Sequence, residues 1–133
     1  MPRTETTPPR VLDNLRVLIV DDSADTLEML HRLLELEGAK VSSAGSAVEA
    51  LDLAAESDFD VIVSDISMPA MDGFELLRRL RAIPRHERVP VLAMTGFGRA
   101  EDAARAQAEG FVSHLAKPVD VDELLAVLQQ LPL

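Results

Sequence analysis

The chain has 133 residues, 47% of them hydrophobic, which suits a single domain with its own core. Its 13 basic and 23 acidic residues give a formal net charge of −10, which argues against direct binding to nucleic acid. The absence of Cys, Trp and Tyr excludes disulfides, thiolate metal sites and thiol nucleophiles, and leaves few rings for stacking on bases or a flavin.

The first 14 residues predict a flexible leader before a folded domain at residues 15–133, because they contain Pro2, Pro8, Pro9 and several Thr. The segment lacks the apolar centre of a signal peptide, and no run of transmembrane length follows it. We therefore expect a cytoplasmic protein that is not inserted in a membrane.

Five short segments have the pattern of strands. Residues 17–20, 61–63 and 91–94 are apolar at consecutive positions and mostly β-branched, which is typical of strands buried on both faces of a parallel sheet. Residues 40–44 are more polar and suit an edge strand, and residues 111–116 predict the last strand. A fragment of buried helix is the alternative for each run, but the short lengths disfavour it.

Helical segments separate these strands. Polar residues that can cap a helix begin four of them: Ser23, Ser46, Asp72 and Asp120. Glu49 has the spacing of a capping box with Ser46. The first helix is expected to end near Gly38, and an Ala-rich fourth helix at residues 100–109 to end at Gly110.

The order strand–helix, repeated about five times, predicts an α/β fold with a parallel sheet, because parallel neighbours need a crossover and the crossover is a helix. Crossovers are right-handed, so helices are expected on both faces of the sheet. Ligands of such sheets bind at the carboxyl ends of the strands.

Polar residues stand at that end of four predicted strands: Asp21 and Asp22 after the first, Asp65 at the third, Thr95 at the fourth and Lys117 at the fifth. Three carboxylates brought close together repel one another, and a hard divalent cation such as Mg²⁺ compensates for this. A metal and a lysine at this edge of the sheet can each bind one oxygen of a phosphoryl group, and the Thr95 hydroxyl can donate to a third. Asp65 would then be the nucleophile that forms an aspartyl phosphate.

Taken singly, each of these motifs also fits a solvated turn or a helix cap, and Lys117 with Pro118 fits a surface turn or a cis bond that aims the lysine. Their occurrence at the same end of several strands favours the functional interpretation. His31 and His86 are interpreted as ordinary surface or boundary residues rather than as phosphodonors.

The segments LIVDD at residues 18–22, DISMPAMDG at 65–73, MTG at 94–96 and KP at 117–118 resemble the receiver domains of the response regulators of two-component systems. The resemblance covers roughly residues 16–131. It implies a flavodoxin-like (βα)5 fold whose five parallel strands have the order 2-1-3-4-5.

The resemblance further implies that Asp65 accepts a phosphoryl group from a sensor histidine kinase or a histidine phosphotransfer protein. Asp21, Asp22, Asp65 and the Ser67 carbonyl would bind Mg²⁺, for which Mn²⁺ or Ca²⁺ can substitute. Thr95 and Lys117 would sense the phosphoryl group, and a downstream protein target would respond to the changed conformation. Such a module slowly loses its own phosphoryl group and is not a turnover enzyme.

One position departs from the family pattern. Many receivers carry Tyr or Phe three residues before the lysine, where this chain has His114. A histidine can still rotate between an exposed and a buried position, and the alternative is a surface-facing strand residue. Residues 96–98 and 110–115 resemble receivers at the C-terminus of hybrid histidine kinases.

Two other functions are found on the same topology. A phosphatase or phosphotransferase acting on a small metabolite would use similar chemistry, but Ser67 stands where an acid–base residue would be needed, two positions after Asp65. A nucleotide or flavin binder would need a Gly-rich loop after the first strand, which is missing.

Overall fold

A computed structural model describes residues 12–96 and 100–131 of the chain. Most of the predicted leader, residues 1–11, lies outside these residues. Leu12 is buried, and its N–H donates to the Glu37 carbonyl at 2.9 Å. The packed part of the chain therefore includes Leu12, three positions before the predicted boundary, because an apolar side chain there completes the core beside the end of the first helix.

Within residues 12–96 and 100–131, five strands and five helices alternate. The strands are β1 (Arg16–Val20), β2 (Lys40–Ala44), β3 (Val61–Asp65), β4 (Val91–Thr95) and β5 (Ser113–Ala116). The helices are α1 (Ala24–Leu36), α2 (Ala47–Glu56), α3 (Gly73–Arg81), α4 (Ala100–Glu109) and α5 (Val121–Gln130), with a short 3₁₀ turn at Pro84–His86.

All four strand pairings are parallel, and the strand order is 2-1-3-4-5. This confirms the predicted flavodoxin-like fold. The last strand begins at Ser113 rather than at residue 111. The reason is that the Phe111 N–H donates to the Ala106 carbonyl and closes α4, while its ring packs edge-on against Phe74.

The helix ends follow the predicted caps. The side chains of Ser23, Ser46, Asp72 and Asp120 each accept a hydrogen bond from a backbone N–H in the first turn of the helix that follows. Glu49 differs in one detail, because its carboxylate accepts from the Gly45 N–H at 2.6 Å instead of from the N–H of Ser46. The return hydrogen bond of the capping box therefore comes from the residue before the N-cap rather than from the N-cap itself.

Apolar side chains cover both faces of the sheet. One core cluster joins Leu18 and Ile62 to residues of α2, α3 and α4, and the other joins Ile19 and Val63 to residues of α1 and α5. β1, β3 and β4 are buried almost throughout, whereas the edge strand β2 is only partly buried. Within the described residues, no helix is long and apolar enough to span a membrane.

The expectation that His86 lies at the surface was wrong. Its side chain is fully buried; Nε2 lies 2.9 Å from the Ala54 carbonyl and 3.0 Å from that of Ser57, and the ring stacks on Phe59. The 3₁₀ turn carries the histidine beneath the end of α2, although the sequence around it is polar. His31, in contrast, is half-buried as predicted, with Nδ1 2.8 Å from the Ser43 hydroxyl.

A bidentate ion pair joins the beginnings of β1 and β3. Asp60 accepts from the Arg16 backbone N–H at 2.8 Å and from Nε and Nη2 of its guanidinium at 3.2 and 2.9 Å. The hydrogen bond from the Arg16 side chain is the main reason that the pKa of Asp60 is lowered. The ion pair therefore stabilises the folded chain when the pH is above the pKa that Asp60 has in the unfolded chain. This stabilisation is lost as the pH falls through the lower pKa of Asp60 in the folded chain.

We therefore expect Asp60→Asn to lower the thermal midpoint by a few degrees at pH 7, and the difference from wild type to shrink as the pH falls below the unfolded-state pKa of an aspartate, about 3.9. Thermal unfolding followed by circular dichroism between pH 7 and pH 3 measures this. The control is Asp58→Asn, whose carboxylate is more exposed and lies 4.0 Å from Arg16. Equal midpoints for wild type and Asp60→Asn at pH 7 would contradict the prediction.

Candidate functional site

The carboxyl ends of the strands bring the predicted polar residues to one edge of the sheet. Asp21 follows β1 directly, Asp65 is the last residue of β3, Thr95 is the last residue of β4, and Lys117 follows β5. These residues come from segments far apart in sequence and lie at one edge because the strands are parallel and in register.

Asp21, Asp22 and Asp65 form an acidic cluster, in which one carboxylate oxygen of each lies within 4.8 Å of the others. Asp21 is fully buried and Asp65 is 3% exposed, whereas Asp22 faces solvent. The Asp21 Oδ1 accepts from the Ser23 N–H at 2.8 Å, and the Asp65 Oδ1 accepts from the Ser67 N–H at 3.1 Å. A set of carboxylate oxygens with one member open to solvent fits a hard cation that keeps bound water.

Lys117 bridges the two buried carboxylates. Its Nζ donates to the Asp65 Oδ2 at 3.0 Å and lies 2.8 Å from the Asp21 Oδ2. The second contact is an ion pair. Burial by itself lowers the pKa of Lys117, but the hydrogen bonds and charges of the two aspartates outweigh it, so the pKa is raised. The lysine is therefore firmly cationic at neutral pH.

Burial has the opposite consequence for the carboxylate. It raises the pKa of Asp65, and the hydrogen bonds from Lys117 and from the Ser67 N–H offset only part of this. The positive charge near Asp65 thus does not fully compensate for the burial of its carboxylate. A cation bound in the acidic cluster would stabilise the ionised form.

Thr95 is 3% exposed, and its hydroxyl makes a long hydrogen bond of 3.4 Å to the Leu115 carbonyl. The Lys117 N–H donates to the Thr95 carbonyl at 2.9 Å, which ties the end of β4 to the segment after β5. The Lys117–Pro118 peptide bond is cis, one of the two forms that the sequence allowed.

His114 does not join this cluster. It lies on β5 opposite Ala93 and its side chain is exposed. The exposed position fits one of the two interpretations given above, and a switch role stays a prediction. Residues 97 and 98, part of the segment that resembles hybrid-kinase receivers, lie outside the described residues.

Two residues lie against the backbone of Asp65: Ser64, which the sequence did not single out, and Gly73, which appeared there only as the end of the DISMPAMDG segment. Ser64 is fully buried, and its hydroxyl donates to the Asp65 carbonyl at 2.9 Å. Gly73 opens α3, and a Cβ placed on it would lie 2.6 Å from the same carbonyl. A glycine at the first position of a helix was the available signal, because glycine allows a close approach of two backbones.

Comparison with known proteins agrees with this geometry. Residues 17–129 match the family model described as response regulator receiver domain. A 14.6 kDa protein of Leptolyngbya boryana is 44% identical over 91% of this chain and 92% of its own length. Sporulation initiation phosphotransferase F of Bacillus subtilis is 34% identical over 90% of this chain and 96% of its own length.

Longer proteins and solved structures also match. The virulence sensor protein BvgS of Bordetella pertussis is 36% identical over 91% of this chain, which spans 10% of that protein. The chemotaxis response regulator CheY4 of Vibrio cholerae has a TM-score of 0.81 and 35% identity over 88% of this chain and 98% of the CheY4 chain. The family match, the fold and these relatives agree, and the chain belongs to the response regulator receiver domain family of two-component systems.

Proposed function

We propose that the chain is a Mg²⁺-dependent phosphoacceptor whose nucleophile is Asp65. The observation that carries the proposal is the position of the Asp65 carboxylate, buried at the end of β3, 3.0 Å from the Lys117 ammonium and within the acidic cluster. The name of the Bacillus subtilis relative, a phosphotransferase, supports this interpretation.

In the proposed reaction, a carboxylate oxygen of Asp65 attacks the phosphorus of a phosphohistidine or of a small acyl phosphate. A new O–P bond forms, the bond from phosphorus to the donor breaks, and the donor leaves with that electron pair. Lys117 lies close enough to Asp65 to pair with a phosphoryl oxygen. The Thr95 hydroxyl would give up its weak bond to Leu115 to donate to another.

The residues present fit a magnesium ion. Asp21, Asp22, Asp65 and the Ser67 carbonyl would hold it, since oxygen ligands of this kind are those Mg²⁺ prefers, and Mn²⁺ or Ca²⁺ could replace it. When bound, the ion neutralises charge that accumulates on the phosphoryl oxygens.

The partners follow from the same chemistry. The donor would be a sensor histidine kinase or a histidine phosphotransfer protein, and a downstream protein would respond to a shift between two conformations. Because the phosphoryl group ends on the protein itself, we propose a signalling module in the cytoplasm rather than an enzyme that turns over an external substrate.

Incubation with acetyl phosphate and Mg²⁺, followed by electrophoresis in a phosphate-retarding gel, tests the proposal. We expect one retarded band whose amount saturates at one phosphoryl group per chain, and no such band when EDTA replaces Mg²⁺. Release of many phosphate equivalents per chain from small metabolites would contradict the proposal and favour a phosphatase.

The metal site gives a separate prediction. Saturating Mg²⁺ should stabilise the wild-type chain, by about 2.7 kcal/mol at one hundred times its Kd, because the unfolded chain lacks the site. Asp22→Asn removes an exposed ligand and should reduce this gain by more than half. Asp25→Asn, three positions further on in the first turn of α1, is the matched control. Urea unfolding with Mg²⁺ and with EDTA measures both, and equal gains in the two variants would contradict the assignment.

A further inference from the structure

Ser64 places a hydroxyl in an apolar environment. It is fully buried on β3, and it alternates with Ile62 and Ile66, whose side chains belong to the core cluster beneath α2, α3 and α4. A hydroxyl removed from water is costly unless it finds a hydrogen-bond partner. Here the partner is the carbonyl of the next residue, Asp65, at 2.9 Å.

The Asp65 carbonyl requires such a donor. The pairing of β1 with β3 ends at Val20 and Ser64, one residue before it. The first residue of α3 covers the carbonyl closely, because a Cβ on Gly73 would lie 2.6 Å from the oxygen and 2.7 Å from the Ile66 Cα. A carbonyl covered in this way is poorly placed to bond water, and the Ser64 hydroxyl satisfies it.

The N–H of the same Asp65–Ile66 peptide unit and the carbonyl of the next one are held by other partners. The Ile66 N–H donates to the Met94 carbonyl at 3.2 Å, and the Ile66 carbonyl accepts from the Gly73 N–H at 3.0 Å. The Ser64 hydroxyl thus completes a set of hydrogen bonds that fixes the backbone on both sides of the Asp65 side chain.

We infer that Ser64 is a positioning residue for phosphoryl transfer to Asp65. It acts through the backbone: by holding the Asp65 carbonyl, it keeps the carboxylate where Lys117 and the Ser67 N–H meet it, at 3.0 and 3.1 Å. The inference rests on the proposed function of Asp65 and adds a residue that does not touch the phosphoryl group.

Replacement of Ser64 by Ala leaves the covered carbonyl without this donor. The Asp65–Ile66 peptide unit, still held through the Ile66 N–H, is expected to tilt about that hydrogen bond and to shift the Asp65 carbonyl. A displacement of a fraction of an ångström at the nucleophile lowers the rate of phosphorylation by acetyl phosphate by about tenfold, since larger misplacements cost about a hundredfold. Protection of the Ser67 amide against hydrogen exchange falls as well, because that N–H donates to the displaced carboxylate.

The experiment compares Ser64→Ala, Ser64→Cys and Ile62→Val. Cysteine fills the space of serine but is a weak donor, so the Cys variant should be as slow as the Ala variant. Ile62→Val, two residues away on the same face of β3, removes one methyl group from the core and controls for lost stability. It should keep the wild-type rate and the wild-type exchange of Ser67.

A wild-type rate and wild-type Ser67 exchange in Ser64→Ala would overturn the inference, and so would full recovery of both in Ser64→Cys. Hydrogen exchange needs no phosphoryl donor, so it decides the positioning role separately. A wild-type chain that takes no phosphoryl group from acetyl phosphate would instead overturn the proposed function, and the two failures are therefore distinguishable.

Discussion

Asp65→Asn is expected to abolish phosphoryl transfer to the chain. An amide has no anionic oxygen to attack phosphorus, so the variant lacks the proposed nucleophile. In the wild type, Lys117 and the Ser67 N–H each hold one oxygen of the Asp65 carboxylate, at 3.0 and 3.1 Å. The expected result is loss of the retarded band at every acetyl phosphate concentration, whereas wild type reaches one phosphoryl group per chain.

The variant should remain folded. Asparagine has nearly the same shape, and removing one of three clustered carboxylates relieves repulsion while it weakens the contact with Lys117. Circular dichroism and a cooperative urea transition check the fold. Asp58→Asn, at an exposed position before β3, should be phosphorylated like wild type. A band of wild-type intensity in Asp65→Asn would mean that another residue accepts the phosphoryl group.

Gly73→Ala is expected to have the largest effect on stability. A Cβ at this position would lie 2.6 Å from the Asp65 carbonyl oxygen and 2.7 Å from the Ile66 Cα, which are both backbone atoms that no rotamer change can move away. Either α3 shifts outward or the end of β3 bends. Because overpacking of this kind typically costs a few kcal/mol, we expect a loss of about 3 kcal/mol of unfolding free energy.

The displaced atoms belong to the phosphoacceptor and its neighbour, so the rate of phosphorylation should fall as well, by about tenfold or more. Gly45→Ala is the matched control. The nearest atom to its added Cβ is a flexible carboxylate oxygen of Glu49 at 3.6 Å, an ordinary contact. Urea unfolding of both variants makes the comparison. Equal stability of the two would contradict the prediction, because it would mean that α3 can shift away from β3 without loss of unfolding free energy.

Much of the site could be predicted because it depends on chain direction. In a parallel sheet every strand ends at the same edge, so residues that follow β1, β3, β4 and β5 must meet there whatever else the chain does. Asp21, Asp65 and Lys117 were identified in this way, although Lys117 and Asp65 are 52 positions apart. The capped helix starts were equally predictable, because a cap and the N–H groups it binds are local.

What the sequence could not determine is which buried polar group finds which partner. His86 has polar neighbours in the chain, yet packing carries it beneath α2 to carbonyls 32 and 29 positions away. Leu12 lies in the segment that the sequence predicts to be a leader, but in the structure its N–H donates to the Glu37 carbonyl at the end of α1.

Local pattern and chain direction therefore determined the parallel sheet, the helix starts and the acidic edge of this protein, and the family resemblance implied the strand order. Only the tertiary structure decided that Gly73 packs against the Asp65 carbonyl and that the Ser64 hydroxyl donates to the same carbonyl. The physical reason is that periodicity and caps act within a few residues, whereas the cost of a buried polar atom is set by whatever elements close over it.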